Sequence, residues 1–223
     1  MPIFLIGFQV DDGSTSVAPT DSLKVEGTPV AQQFAVTFDY LCPFARNGHE
    51  AVVNALREGA DYDVRFVPFS LNQAHVEEGE PAVWERDPAN WGSGVTALLY
   101  GIAARDAFPE EFLDFHIAAF ALRHDQSRQL DEEALAEAAT SVGLDVAALK
   151  EEVWSGRPLK TLAAEHTEAV ERWAVFGVPT FIAGEEATFI RFMERGNVED
   201  LRRAVDLLDW TRLNELKRTR IPR

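Results

Sequence analysis

The sequence predicts an α/β protein in which an all-helical block interrupts a small strand-containing domain. Three observations carry that prediction. Residues 33–71 alternate strand-like and helix-like patterns in the order β-α-β, and residues 81–175 show helical periodicity alone. Residues 177–216 then return to two strand-like runs followed by a helix.

Residues 1–32 open with the short apolar run Met1–Phe8, which reads equally as an added edge strand, an unstructured leader or an over-long translation start. Small and polar residues follow to about residue 32 without sustained periodicity, the pattern of an N-terminal arm or linker. Gln33 to Asp39 alternates and is rich in β-formers. Pro43 to Glu58 suits a helix, with Pro43 at its first position, where a missing N–H costs nothing. Tyr62 to Leu71 alternates again, so 33–71 predicts a βαβ unit with a parallel strand pair; Pro68 argues that the second strand ends there or lies at an edge. Five helices are expected next, over Ser93–Ala107, Glu110–His124, Asp131–Val142, Asp145–Trp154 and Pro158–Val175. Asp131 and Asp145 are acidic starts favoured by the helix dipole, and Gly143 and Gly156 are plausible stops. Gly177–Gly184 and Ala187–Phe192 read as two strands around a Gly184-Glu185-Glu186 turn, and a last helix is expected from Val198 to about Leu216. The chain thus divides into an arm over 1–32, a strand-containing domain over 33–80 and 176–223, and an inserted helical domain over 81–175.

Composition narrows the function classes. A chain of 223 residues with 46% hydrophobic content can bury a sizeable core. Its formal net charge of −16 repels phosphate backbones and anionic lipid, so neither nucleic acid nor a membrane is an expected partner. The charge is uneven, because Arg212, Lys217, Arg218, Arg220 and Arg223 face only Glu215 after residue 210. That basic tail either attracts an anionic cofactor or complements the dipole of the last helix, with the second reading preferred. A single cysteine excludes a disulfide framework. The opening lacks the basic start and cleavage pattern of a secretory signal, and no apolar run spans a bilayer, which together lead to an expected cytoplasmic location.

The most informative residue is that single cysteine, Cys42, between the first strand and the first helix. A thiolate there accepts the free N–H groups of the first helical turn and meets the positive end of the dipole, so an acidic, reactive thiol is expected. An isolated cysteine is more often a small buried hydrophobe, and its placement is what reverses those odds. Ala45 stands three residues on, so Cys42 has no partner for an internal disulfide. A single thiolate still suffices for exchange with a small external thiol.

Two motifs, taken with the element order, resemble the superfamily of DsbA and the kappa-class glutathione transferases, whose thioredoxin-like fold carries an inserted all-helical domain. Cys42-Pro43-Phe44-Ala45 stands where the family has Cys-Pro-x-Cys, and Gly177-Val178-Pro179-Thr180-Phe181 is similar to its cis-proline strand. By itself Val178-Pro179-Thr180 reads equally as the opening of an edge strand; beside the Cys-Pro joint, the cis reading is preferred. A third segment, Leu213–Arg220, is similar to the C-terminal end of the actinobacterial branch that includes mycothiol-dependent nitroreductase. Cys42-Pro43-Phe44-Ala45 also resembles the Ser-Pro-Phe-Ala/Ser of kappa transferases and 2-hydroxychromene-2-carboxylate isomerases. The resemblance implies that Pro179 faces Cys42 and that Val178, Pro179 and Thr180 bind a thiol tail. It implies a thiol-dependent oxidoreductase acting on small electrophilic or disulfide substrates, with mycothiol or glutathione as co-substrate, and a homodimer as the assembly. The alternatives are a transferase or isomerase, and a non-catalytic protein of the same fold.

Weaker candidates surround the thiol. Arg46 would favour a thiolate, and Asn47 follows it in the first helical turn; an exposed polar face explains both nearly as well. Phe44 would pack over a substrate or into a domain interface. Tyr40, Asn47, Asn72 and Trp91 are expected to border the pocket. The five histidines show no ligand spacing, so no metal is expected, and no phosphate loop or dinucleotide fingerprint is present.

Overall fold

The computed structural model describes residues 31–220. Met1–Val30, and with them nearly all of the expected arm and its apolar start, lie outside the described residues, as do residues 221–223. The elements run β1 (Gln32–Phe38), α1 (Pro43–Arg57), β2 (Tyr62–Pro68) and α2 (Leu71–Ala74), then α3 (Ser93–Ala107), α4 (Pro109–His124), α5 (Glu132–Ser141), α6 (Val146–Trp154) and α7 (Arg157–Trp173), and finally β3 (Thr180–Ala183), β4 (Glu186–Phe189) and α8 (Val198–Leu208). Short 3-10 turns at Val83–Glu85 and Pro88–Asn90 lead into α3. This is a thioredoxin-like α/β fold with five helices inserted between its two halves.

The strands form one mixed sheet in the order β2-β1-β3-β4. β1 and β2 are parallel, with Val36 opposite Phe66, and α1 supplies the crossover. β3 returns antiparallel to β1, Val36 opposite Phe181, and β4 hairpins onto β3. Phe34, Val36, Phe38 and Tyr40 recur every second residue and are all buried, placing one face of the central strand in the core. The same core takes in Ala45 and Val52 of α1, Phe66 of β2, Leu98 and Ile102 of α3, Phe115 and Phe120 of α4, and Leu162 of α7. Each large side chain so buried contributes about 1.5–3 kcal/mol.

Local chemistry accounts for the boundaries. Asp131 accepts from Ala134 N–H at 2.9 Å, Asp145 from Ala147 and Ala148 at 2.9 and 3.1 Å, and Asn197 from Asp200 at 2.9 Å, capping α5, α6 and α8. Four expectations need correction. β2 stops at Pro68 rather than reaching Leu71, because Ser70 accepts from Gln73 N–H at 3.1 Å and starts α2. β3 begins only at Thr180, since Gly177–Pro179 form a loop closed by a hydrogen bond from the Thr180 hydroxyl to Gly177 C=O at 2.8 Å. β4 ends at Phe189 instead of Phe192. α8 ends at Leu208, not Leu216, where the buried spacing of Leu201, Ala204, Val205 and Leu208 runs out and Trp210 and Leu216 are exposed. Lys217, Arg218 and Arg220 therefore lie more than two turns past the helix and do not complement its dipole, whose influence is confined to the last turn.

Candidate active site

Cys42 caps α1. Its backbone is extended (φ −93°, ψ 117°), Pro43 follows at the first helical position, and its Sγ accepts from Ala45 N–H at 3.5 Å. Across 136 residues of chain the thiol also donates to the Val178 carbonyl at 3.4 Å. The Val178–Pro179 peptide bond is cis. Pro179 can approach because α1 carries Gly48 beneath it: a Cβ there would lie 3.4 Å from Pro179 Cγ and 3.0 Å from Phe192 Cδ2. Thr180 is tied to β1 through its N–H, which donates to Thr37 Oγ1 at 2.9 Å. Cys42, Val178, Pro179 and Thr180 thus meet at one end of the sheet. Ala45, at the position of the family's second cysteine, is fully buried.

The thiol is not acidic as expected. Burial pushes the half-buried Cys42 up from its ordinary 9.0, outweighing the Ala45 and Phe44 N–H groups that pull it down. The nearby charge of Asp39 raises it further, and Arg191 lowers it. The helix terminus acts in the anticipated direction, but desolvation wins.

Arg46 does not serve the thiol. Its guanidinium is held by Asp125 at 2.7 Å and by Asn47 Oδ1 at 3.3 Å. Asp125 also binds Arg195 at 2.8 and 2.9 Å, and Arg195 pairs with Glu50, so one charge cluster joins α1, the end of α4 and the segment after β4. Asn47 donates to Phe192 C=O at 2.9 Å, and Asn54 and the Asn47 carbonyl hold Gly196. That segment is thereby strapped to α1, which positions Arg191 over the rings of Phe44 and Phe189, at 5.3 and 5.6 Å. The cation that acts on Cys42 is Arg191, and Phe44 supports it.

Of the expected pocket residues, Tyr40 is fully buried and faces the core instead. Its hydroxyl meets His116 Nδ1 at 2.8 Å, His116 Nε2 meets His49 Nδ1 at 2.9 Å, and His49 Nε2 meets Thr37 C=O at 3.0 Å. A carbonyl only accepts, so the protons are fixed in sequence: His49 Nε2–H donates to Thr37, His116 Nε2–H donates to His49, and Tyr40 O–H donates to His116. Both imidazoles are then neutral, and burial pushes His49 down to about 4 and His116 well below its ordinary value. Asn72 is half-buried, its Oδ1 has no hydrogen-bond partner, and it packs against Gly92 and Gly94 beside Leu41. Trp91 donates to Arg86 C=O at 3.2 Å and stacks on Trp154 at 6.2 Å.

Asp39, at the end of β1, joins the two loops of the site. Its carboxylate accepts from Leu41 N–H at 2.9 Å and from Leu71 N–H at 2.8 Å, one on each oxygen. It is fully buried, and desolvation raises it to about 6. Concavities of 270 Å³ between β1, β2 and α7 and of 630 Å³ on the outer side of α7 do not include Cys42. Among the described residues no group of three or more His, Cys, Asp or Glu side chains is arranged to hold a metal, and no helix is long and apolar enough to cross a membrane.

Residues 35–206, which include the cysteine-capped helix and the proline loop that faces it, match the DSBA-like thioredoxin domain. The chain belongs to that DsbA-like family. Solved structures agree on the fold. The 2-hydroxychromene-2-carboxylate isomerase matches with a TM-score of 0.57 at 17% identity, covering 81% of this chain and 97% of its own. Pseudomonas aeruginosa DsbA matches at 0.56 and 20%, covering 83% and 86%, and the catalytic domain of Proteus mirabilis ScsC at 0.54 and 18%, covering 81% and 85%. No curated protein matches the sequence.

Sequence reasoning passed over Asp39 and Arg191, and it gave the histidines no more than core or surface roles, without the hydrogen-bonded chain through His49 and His116. Signals for the last were present. Tyr40 continues the alternation of Phe34, Val36 and Phe38; His49 lies four residues from Ala45 and three from Val52; His116 sits midway between Phe112 and Phe120 at helical spacing. Nothing local marks Arg191.

Proposed function

We propose that this DsbA-like protein is a single-thiol oxidoreductase, in which Cys42 and a low-molecular-weight thiol co-substrate, mycothiol or glutathione, reduce small electrophilic or disulfide substrates in the cytoplasm. The observation that carries the reading is the pairing of a half-buried thiol at the α1 N-terminus with the Val178–Pro179 loop, while a buried alanine occupies the second cysteine position. In exchange, the Cys42 thiolate attacks a disulfide sulfur, the Cys42 S–S bond forms as the old one breaks, and a thiolate leaves with the bonding pair. A second small thiol then attacks the mixed disulfide and frees Cys42. The Val178 carbonyl, which accepts from the Cys42 thiol in the free protein, offers a strand-like contact for the tail of the bound thiol once that hydrogen bond is given up.

The test is intact mass after incubation with oxidised mycothiol or oxidised glutathione across neutral and alkaline pH. A single adduct on Cys42, removed by the reduced thiol, is expected; its absence under all conditions overturns the reading.

One observation favours a second reading. Cys42 is pushed toward its protonated form and donates through S–H, as a serine hydroxyl would. A proton held there can hydrogen-bond the sulfur of a bound thiolate, which is the requirement of a transferase or isomerase. Cys42→Ser separates the two: it abolishes exchange chemistry but preserves turnover that needs only a hydrogen-bond donor.

A further inference from the structure

The surface beside Cys42 carries an aromatic shelf with a cation on it. Arg191 lies over Phe44, two residues after the thiol, and over Phe189. Phe189 in turn packs against Phe176 at 5.1 Å, and Phe176 is 72% exposed just before the Val178–Pro179 loop. Most arginines around the site are committed: Arg46 and Arg195 to Asp125, and Arg105 to Glu165. Arg191, by contrast, forms no ion pair among the described residues, in a chain whose net charge is −16. A guanidinium held over aromatic faces keeps its edge N–H donors available, and their planar fork matches a carboxylate. An exposed ring next to it offers an apolar contact of the same size as a second ring.

We propose that Arg191 is a specificity-determining residue that binds a carboxylate on the molecule reacting at Cys42, with Phe44, Phe176 and Phe189 receiving its aromatic or apolar body. The substrate class is therefore carboxylate-bearing aromatic disulfides or electrophiles. This inference rests on Cys42 as the nucleophile, and it adds charge selection to that reading.

The test uses two aromatic disulfides that release coloured thiols, dithiobis-nitrobenzoate, with a carboxylate on each ring, and dithiodipyridine, which is neutral. In either reaction the Cys42 proton goes to solvent, the thiolate forms a bond to one reagent sulfur, and the aryl thiolate departs with the electron pair of the broken bond. Cys42 is oxidised and the released thiol is reduced. Arg191→Gln is expected to lower the rate constant for the dicarboxylate about tenfold more than that for the neutral reagent, a barrier difference of ~1.4 kcal/mol, the loss common to both reagents being the effect of Arg191 on the thiol. Arg191→Lys recovers part of the loss, and added salt shrinks the rate advantage of the unmodified protein over Arg191→Gln toward the dicarboxylate, because it screens the Arg191 attraction while relieving the repulsion by the net charge equally in both. An equal fall for both reagents means that Arg191 acts only through thiol acidity and overturns the proposal, as does an unchanged ratio. Reaction of the unmodified protein with neither reagent overturns the single-thiol reading and this inference with it.

Discussion

Replacing Asp39 by Asn tests the electrostatics of the site at its most buried charge. Asp39 is held at about 6 against an ordinary 3.8, a displacement of about 2 pKa units and so about 3 kcal/mol between its two protonation states. Because the folded value is raised, the folded protein holds this proton more tightly than the unfolded chain. The associated stability is complete below pH 3.8 and is lost as pH rises through about 6. Asn carries no titrating proton and loses nothing over that window. It also has one acceptor oxygen where Asp39 uses two, so its amide N–H₂ faces either the Leu41 or the Leu71 N–H. That mismatch costs about 1–3 kcal/mol at every pH. Asp39→Asn should therefore be clearly less stable than the unmodified protein near pH 4 and approach or pass parity near pH 8, the difference moving by about 2 kcal/mol in its favour. Urea unfolding of both proteins at the two pH values measures this directly, and histidine contributions cancel between them. A pH-independent difference would refute the reasoning, since it would mean that Asp39 ionises as an ordinary carboxylate.

Two further outcomes follow from the packing around Tyr40. Gly101→Ala places a Cβ 2.5 Å from Tyr40 Oη and 2.8 Å from Cε2, where the ring is pinned by His116, and should cost about 1–3 kcal/mol; at roughly 2–4 °C per kcal/mol, thermal unfolding resolves it, and an unchanged midpoint would show that Tyr40 yields freely. The fixed proton order from Tyr40 to Thr37 requires His49 and His116 to remain neutral with Nε2 protonated at pH 5.5. Long-range proton–nitrogen spectra report both properties, and an imidazolium signal from either ring at that pH contradicts the assignment. For His49 the sign is opposite to that of Asp39: its lowered value stabilises the fold above pH 6.5, and that contribution disappears as pH falls through about 4.

What the sequence made legible was local. The strand-to-helix joint at Cys42 depends on a capping side chain and a proline at the next position, and both act within four residues. Asp131 and Asp145 cap as their spacing indicates, because an N-cap needs only its own first turn. What escaped depends on residues brought from far away in the chain. Arg46 looks free in its helical turn, yet its partner Asp125 lies 79 residues on, at the end of a helix from the inserted block. The acidity of Cys42 could not be read from the N-cap alone, because burial and Asp39 act against the N–H groups. The length of α8 was overread for the converse reason. Residues beyond Leu208 keep a helical composition, but Trp210 and Leu216 are exposed and Leu213 is only partly covered, and propensity without burial rarely sustains a helix.

The balance at Cys42 has a consequence for any ligand that docks beside it. In the free protein the S–H donates to the Val178 carbonyl, a hydrogen bond that only the protonated thiol can make and that therefore opposes ionisation. A ligand backbone or amide N–H that takes the Val178 carbonyl removes that contact. The Ala45 and Phe44 N–H groups remain directed at the sulfur and favour the thiolate. A carboxylate drawn to Arg191 works the other way, since it neutralises the cation that lowers the thiol. Docking through the proline loop and docking through the aromatic shelf thus shift the same ionisation in opposite directions. A substrate using both has its nucleophile tuned by the difference, and only its contact at the Val178 carbonyl favours the thiolate.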